Sequence, residues 1–185
     1  MKVYGICCHG LGVIQPIDNL CSFINKHTPS GVHFNIVGGA DPRITYPIII
    51  DNMIKAHAAG YEVIFMGHSL GAMLAFIAAD KLKSHGIKSK LFVSFDSTQW
   101  GSNAPGTLPY APGSPHAGQY FVPDNVAHWI HYWQPVYPGG GRVHLAPGNT
   151  TTVLEEHRRY EDHINMVNAF DLQQHVLDVL LEKLK

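Results

Sequence analysis

The chain has 185 residues, of which 45% are apolar and 15% are charged, a balance typical of one globular domain with a substantial core. Its formal net charge of −1 gives no reason to expect a nucleic acid or an anionic membrane as partner. The first residues lack a signal-peptide pattern and no apolar run could span a bilayer, so we expect a cytoplasmic protein without stable membrane insertion.

The first half of the chain alternates between apolar strand patterns and helical patterns. In chain order we predict a strand at 2–8, a helix through 13–24, a strand at 32–37, a helix at 46–59, a strand at 63–66, a helix from 70 to about 84 and a strand at 90–95. This alternation predicts an α/β fold, a three-layer sandwich with a mostly parallel central sheet flanked by helices. The whole of 1–185 is expected to be one domain.

The three cysteines lie early in the chain and are odd in number. Because neighbouring residues of a strand point to opposite faces, Cys7 and Cys8 are not expected to pair with each other. With Cys21 they are most simply explained as reduced thiols of an intracellular protein.

The second half begins with a long segment, 97–124, that is rich in proline, glycine and aromatic residues. A loop of this length is usually functional, and we expect either a lid or pocket wall or a packed surface excursion without a role in binding. Beyond it we predict strands at 126–133, 142–145 and 151–155. A final helix follows, with Asn165 as a plausible cap and a buried stripe that includes Val167, Phe170, Leu177, Leu180 and Leu184.

The most informative motif is Gly-His-Ser-Leu-Gly at 67–71, between the strand at 63–66 and a helix rich in alanine. The G-x-S-x-G spacing in a strand-turn-helix context is typical of a nucleophile elbow, in which the serine occupies a strained turn. Glycine suits the positions two before and two after Ser69, because these lie close to neighbouring backbone. The main-chain N–H of Leu70, at the start of the helix, could donate to an oxyanion.

On this motif and layout the chain resembles the α/β-hydrolase superfamily, and in size its compact lipase, esterase and cutinase-like members. The resemblance implies a serine nucleophile followed in chain order by a carboxylate and a histidine. It also implies a second oxyanion donor after the first strand, where the sequence reads His9-Gly10-Leu11-Gly12. Leu11 is the candidate donor, an ordinary glycine turn is the alternative, and His9 is expected to shape the hole rather than act as the base.

Asp96 is the preferred acid because it directly follows the strand after the nucleophile helix. The usual position lies one strand later, but no carboxylate follows that strand until Glu155. Asp124 precedes a strand and is therefore expected at the wrong edge of the sheet. A turn residue capping the next two residues is the alternative reading of Asp96.

His163 is the preferred base because it stands just before the last helix, with His157 second and His144 third. Asp162 is not expected to orient His163, since neighbouring side chains diverge, and is expected to be solvated or to help cap the helix. We expect no metal and no cofactor: His128 and His131 would face opposite sides of a strand, and no H-E-x-x-H or paired-cysteine spacing occurs.

The resulting hypothesis is a serine hydrolase that cleaves carboxylic esters, small or lipid, through an acyl-serine intermediate. A thioesterase or acyltransferase with the same residues is the nearest alternative, and an inactive binding protein of the same fold is a further one. Candidate pocket residues are His9, His68, Trp100, Tyr110, Tyr120 and Phe121.

Overall fold

The computed structural model describes residues 1–10, 16–38, 42–97, 121–135 and 143–185. Its strands are β1 (Val3–Cys8), β2 (Val32–Val37), β3 (Glu62–His68), β4 (Ser89–Phe95), β5 (Phe121–Val122), β6 (His128–Trp133), β7 (His144–Leu145) and β8 (Val153–Arg158). Its α-helices are α1 (Pro16–His27), α2 (Pro42–Ala58), α3 (Leu70–Leu82) and α4 (Phe170–Lys183).

Six strands form one sheet in the order β2-β1-β3-β4-β6-β8, and every neighbouring pair is parallel. The predicted α/β architecture is therefore confirmed. Strands β5 and β7 form a separate parallel pair. The chain leaves β1 toward β2 and then returns to place β3 on the other side, so the order reverses at β1. Ligands of such sheets bind at the carboxyl ends of the strands beside this reversal.

Each face of the sheet is covered by two helices. One core includes residues of α2 and α3, and the other includes residues of α1 and α4. Cys8 belongs to the first core and Cys7 to the second, as the alternation of a strand requires. All three cysteines are buried and free.

The start of the final helix differs from the prediction. Asn165 precedes a short 3₁₀ turn at Met166–Asn168, and α4 begins only at Phe170. Phe170, placed in the buried stripe by the sequence pattern, is 70% exposed, whereas Val167 is buried against the second core. The apolar residues keep a helical spacing on both sides of Ala169, so the sequence pattern predicts one continuous helix. The extended backbone of Ala169 instead separates the 3₁₀ turn from α4.

No helix in the described ranges combines the length and the apolar character needed to cross a bilayer.

Candidate active site

Ser69 occupies the single position between the end of β3 and the start of α3. Its backbone has φ 57° and ψ −128°, a combination that costs a residue with a side chain about 1–3 kcal/mol. Its N–H donates to the carbonyl oxygen of Phe95 at 3.0 Å, which ties the turn to the neighbouring strand β4. The strand-turn-helix context and the strained serine are those of a nucleophile elbow.

The two glycines of the motif are required by close backbone contacts. A Cβ on Gly71 would lie 2.1 Å from the carbonyl oxygen of Cys8, and one on Gly67 would lie 2.5 Å from Cα of Ala72. Helix α3 can therefore approach β1 and β3 only because both side chains are absent. This is the reason for glycine that the motif predicts.

The loop that follows β1 lies beside Ser69. A Cβ on Gly10 would be 3.1 Å from Cβ and 3.4 Å from Oγ of Ser69. Leu11, the next residue, lies outside the described residues. Leu70 is the first residue of α3, and the first N–H groups of a helix have no partner within it.

Asp96 directly follows β4 and is completely buried. Its N–H donates to the carbonyl oxygen of Tyr132 at 2.7 Å, so the turn after β4 is held by β6. Its Oδ2 accepts from Nδ1 of His163 at 2.7 Å and from Nε2 of Gln134 at 2.9 Å. The hydrogen bond from Gln134 therefore helps to fix the orientation of the Asp96 carboxylate toward the His163 imidazole.

His163 lies between β8 and the 3₁₀ turn at Met166–Asn168, with a side chain that is 14% exposed. The neighbouring carboxylate of Asp162 accepts from the N–H groups of Ile164 and Asn165 at 3.0 and 2.8 Å. The Asp162 carboxylate thus stabilises the turn. The His163 ring is held by the carboxylate of Asp96 instead. The bond from Nδ1 to Asp96 fixes the orientation of the His163 ring.

His68, the residue before Ser69, contacts both the main chain and the ring of His163. Its Nε2–H donates to the main-chain oxygen of His163 at 2.7 Å, and the two ring centroids are 4.6 Å apart. Burial, assisted by the neighbouring charge of His163, lowers the pKa of His68 to about 4. His68 is therefore neutral near pH 7. At 4% exposure it supports the His163 segment more than it lines an open pocket.

The other predicted site residues are placed as follows. The ring of His9 covers Gly38, where a Cβ would lie 1.8 Å from its Nε2. Phe121 begins β5. Trp100, Tyr110 and Tyr120, together with most of the 97–124 segment, lie outside the described residues, so the lid and the pocket wall stay predictions.

The alternative acid and bases lie elsewhere. Asp124 pairs with Lys83 at 2.7 Å. It precedes β6, whereas Ser69 follows β3, so the two residues lie at opposite ends of the parallel strands. His157 lies on β8 with Nε2 bonded to Glu155, and His144 lies on β7. His131 is buried with Nδ1 2.7 Å from Oγ of Ser94, inside the core.

Gln134 is the site residue that sequence reasoning passed over. Gln134 directly follows β6, the strand after which the usual acid would stand, and its amide donates to the Asp96 carboxylate at the end of the neighbouring strand β4. A polar residue at the carboxyl end of a parallel strand was the available signal.

The sheet order, the elbow and the polar residues at the strand ends define the α/β-hydrolase fold. A family model described as a thioesterase domain matches residues 48–117, a segment that includes Ser69 and Asp96. Comparison with curated proteins gives no match.

Solved structures share this fold at low sequence identity. RedJ, a thioesterase from the prodiginine pathway of Streptomyces coelicolor, is 12% identical with a TM-score of 0.60, covering 98% of this chain and 85% of its own. BorB, a type II thioesterase from the borrelidin cluster, is 14% identical with a TM-score of 0.55, covering 100% and 93%. Est1E from Butyrivibrio proteoclasticus is 13% identical with a TM-score of 0.51, covering 99% and 88%. These neighbours show the fold that the chain shares with them, and the family model covers the part of the chain that holds the elbow.

Proposed function

We propose that the protein is a serine hydrolase that cleaves acyl thioesters, with Ser69 as nucleophile, His163 as base and Asp96 as the orienting acid. The observation that carries the proposal is the 2.7 Å hydrogen bond between His163 Nδ1 and Asp96 Oδ2 at the sheet edge that also carries the strained Ser69. An inactive binding protein would need neither this pair nor the strain.

The reaction follows from the positions of these groups. A serine hydroxyl is a weak nucleophile at neutral pH, so His163 Nε2 takes its proton as Oγ attacks the thioester carbonyl. The N–H groups of Leu70 and Leu11 donate to the oxygen that becomes negative. When the carbon–sulfur bond breaks, the thiol leaves with the proton held by His163. Water then gives a proton to His163 and attacks the acyl-serine, which releases the acid and regenerates Ser69.

Two observations favour a thioester over an oxygen ester as the preferred substrate. The thioesterase-domain match covers the elbow and the acid, and two of the structural neighbours cited above are thioesterases by name. Oxygen-ester hydrolysis is the second candidate, because a structure described as one of two metagenome-derived lipolytic enzymes shares the same fold. An acyltransferase with the same residues differs only in the acceptor that attacks the acyl-serine.

The test compares matched acyl groups on two leaving groups. Butyryl and octanoyl esters of nitrophenol are assayed beside the corresponding acyl thioesters of N-acetylcysteamine, with and without an alcohol acceptor. We expect the higher kcat/KM for thioesters and no acyl transfer. A preference for oxygen esters makes the enzyme an esterase, and rapid transfer to the alcohol makes it an acyltransferase. Ser69→Ala is the control for activity of any contaminating hydrolase.

A further inference from the structure

Three histidines surround one carboxylate where the edge strand β8 meets α4. Glu155 and His157 are alternate residues of β8, so their side chains lie on one face of the sheet, and His175 faces them from α4. Nε2 of His157 is 2.5 Å and Nε2 of His175 is 3.6 Å from the same Glu155 oxygen, Oε1. One donor atom from each residue lies within 4.8 Å of the others.

A third imidazole approaches the other oxygen of this carboxylate. His128, which begins β6, is 8% exposed, and its Nε2 is 3.2 Å from Oε2 of Glu155. Neither ring nitrogen meets the geometry of a hydrogen bond to any residue in the described ranges. Its Nε2 is nevertheless within ion-pair distance of Glu155 Oε2, so His128 helps to orient the carboxylate.

Tyr132 orients His175 toward the carboxylate. Its hydroxyl is 2.5 Å from Nδ1 of His175. When Nδ1–H donates to the phenol oxygen, the lone pair of Nε2 faces Glu155 Oε1. A second hydrogen bond of this kind commonly orients a metal-binding histidine.

We propose that Glu155, His157 and His175 form a site for a divalent transition-metal ion, with Zn²⁺ as the best fit. Two imidazoles and one carboxylate are a donor set that zinc uses, and imidazole nitrogen disfavours Ca²⁺ and Mg²⁺. Bonds of about 2.0–2.1 Å in a tetrahedron place donors roughly 3.3 Å apart. The 3.6 Å pair nearly meets this, and the 2.5 Å pair needs to open by less than ~1 Å.

Sequence patterns do not indicate this site, because His175 is distant in the chain and no metal motif links it to β8. An ion here joins β8 to α4, the two elements that flank the segment carrying His163. The ion pair of Arg159 with Asp171 already links the end of β8 to the start of α4. The site shares no residue with Ser69, His163 or Asp96, so it is independent of the proposed function.

The test is Co²⁺ titration of protein freed of metal by a chelator, followed by displacement with Zn²⁺. We expect one saturable equivalent with the visible absorption of a four-coordinate ion, and a rise in Tm with Zn²⁺ that is absent with Mg²⁺. His157→Ala and His175→Ala should each weaken binding at least tenfold. His85→Ala, which removes an exposed histidine beyond α3, should leave binding unchanged.

Glu155→Gln, which keeps the size of the side chain, provides a second variant if an alanine variant unfolds, as judged by circular dichroism. Ser69→Ala should bind the ion as the wild type does, which separates this site from the catalytic one. Absence of saturable binding overturns the proposal. So does binding that survives in the folded His157, His175 and Glu155 variants, because the ion would then lie on other histidines of the chain.

Discussion

Ser69 and Asp96 share a backbone feature that no other non-glycine residue in the described ranges has, a positive φ, at 57° and 43°. The two residues end neighbouring strands, and the Ser69 N–H is bonded to the residue before Asp96. Strain that persists at two adjacent strand ends is held in place by the surrounding structure and is concentrated where function requires a fixed geometry.

The strain at Ser69 predicts that two inactive variants differ in stability. Ser69→Ala and Ser69→Gly should both abolish hydrolysis, but glycine adopts φ 57° without a Cβ penalty. We expect Ser69→Gly to exceed Ser69→Ala in free energy of unfolding by about 1–2 kcal/mol. Urea unfolding measures the difference. Equal stabilities would show that Ser69 is not strained, and residual activity near the wild-type level would exclude it as the nucleophile.

Asp96→Asn should lower kcat by several orders of magnitude, on the order of 10⁴ in the serine-protease precedent, because the amide favours the wrong tautomer of His163. Asp124→Asn is the matched control, since that carboxylate pairs with Lys83 on the opposite edge. Its activity should be close to that of the wild type. A larger loss in Asp124→Asn than in Asp96→Asn would contradict the assignment of the acid.

Gln134 predicts a smaller, positioning effect. Its amide donates to the carboxylate oxygen that also holds His163, and a hydrogen bond to a charged group contributes about 1.5–3 kcal/mol. Gln134→Leu should therefore reduce kcat by roughly 10- to 100-fold with little change in KM. Gln134→Glu, which places a second carboxylate beside Asp96, should reduce kcat further. If only KM rises in Gln134→Leu, the residue contacts substrate instead.

The glycine contacts predict a cost to folding. Gly71→Ala would place a Cβ 2.1 Å from the Cys8 oxygen, so α3 would have to move away from β1. We expect a loss of about 3 kcal/mol or more in the free energy of unfolding. Gly86→Ala is the control, because a Cβ there meets open space and the substitution tests only the positive φ of 69°. Similar losses in both variants would mean that the contact at Gly71 relaxes easily.

His68 predicts a dependence of stability on pH. Its pKa falls from an ordinary 6.5 to about 4 in the folded protein, because burial and the charge of His163 outweigh the attraction of Asp96. Between these values the unfolded chain binds the proton and the folded chain does not, so stability is lost as pH falls from about 6.5 to about 4. His68→Gln should remove about 2 kcal/mol of the loss measured between pH 7 and pH 5. His85→Gln should leave the pH dependence of stability unchanged. If His68→Gln also left it unchanged, His68 would not be a buried neutral imidazole in the folded protein.

The sequence predicted the parts of this site that local pattern determines. The elbow, the strand that ends at Asp96 and the edge on which Asp124 lies follow from apolar runs and turn residues. It could not predict contacts made between distant elements, such as the amide of Gln134 on Asp96 or the imidazole of His175 near Glu155. The start of α4 was misplaced because helical spacing continues through Ala169, where only the backbone turn reveals the break.

The proposed function requires that His163, held by Asp96, makes Ser69 reactive. Labelling with a fluorophosphonate followed by peptide mass spectrometry tests it most directly, because the probe needs an activated serine and no known substrate. We predict one label on Ser69, slowed at least a hundredfold in His163→Ala and absent from Ser69→Ala. A label on another residue, or labelling of Ser69 at the same rate in His163→Ala, would contradict the account.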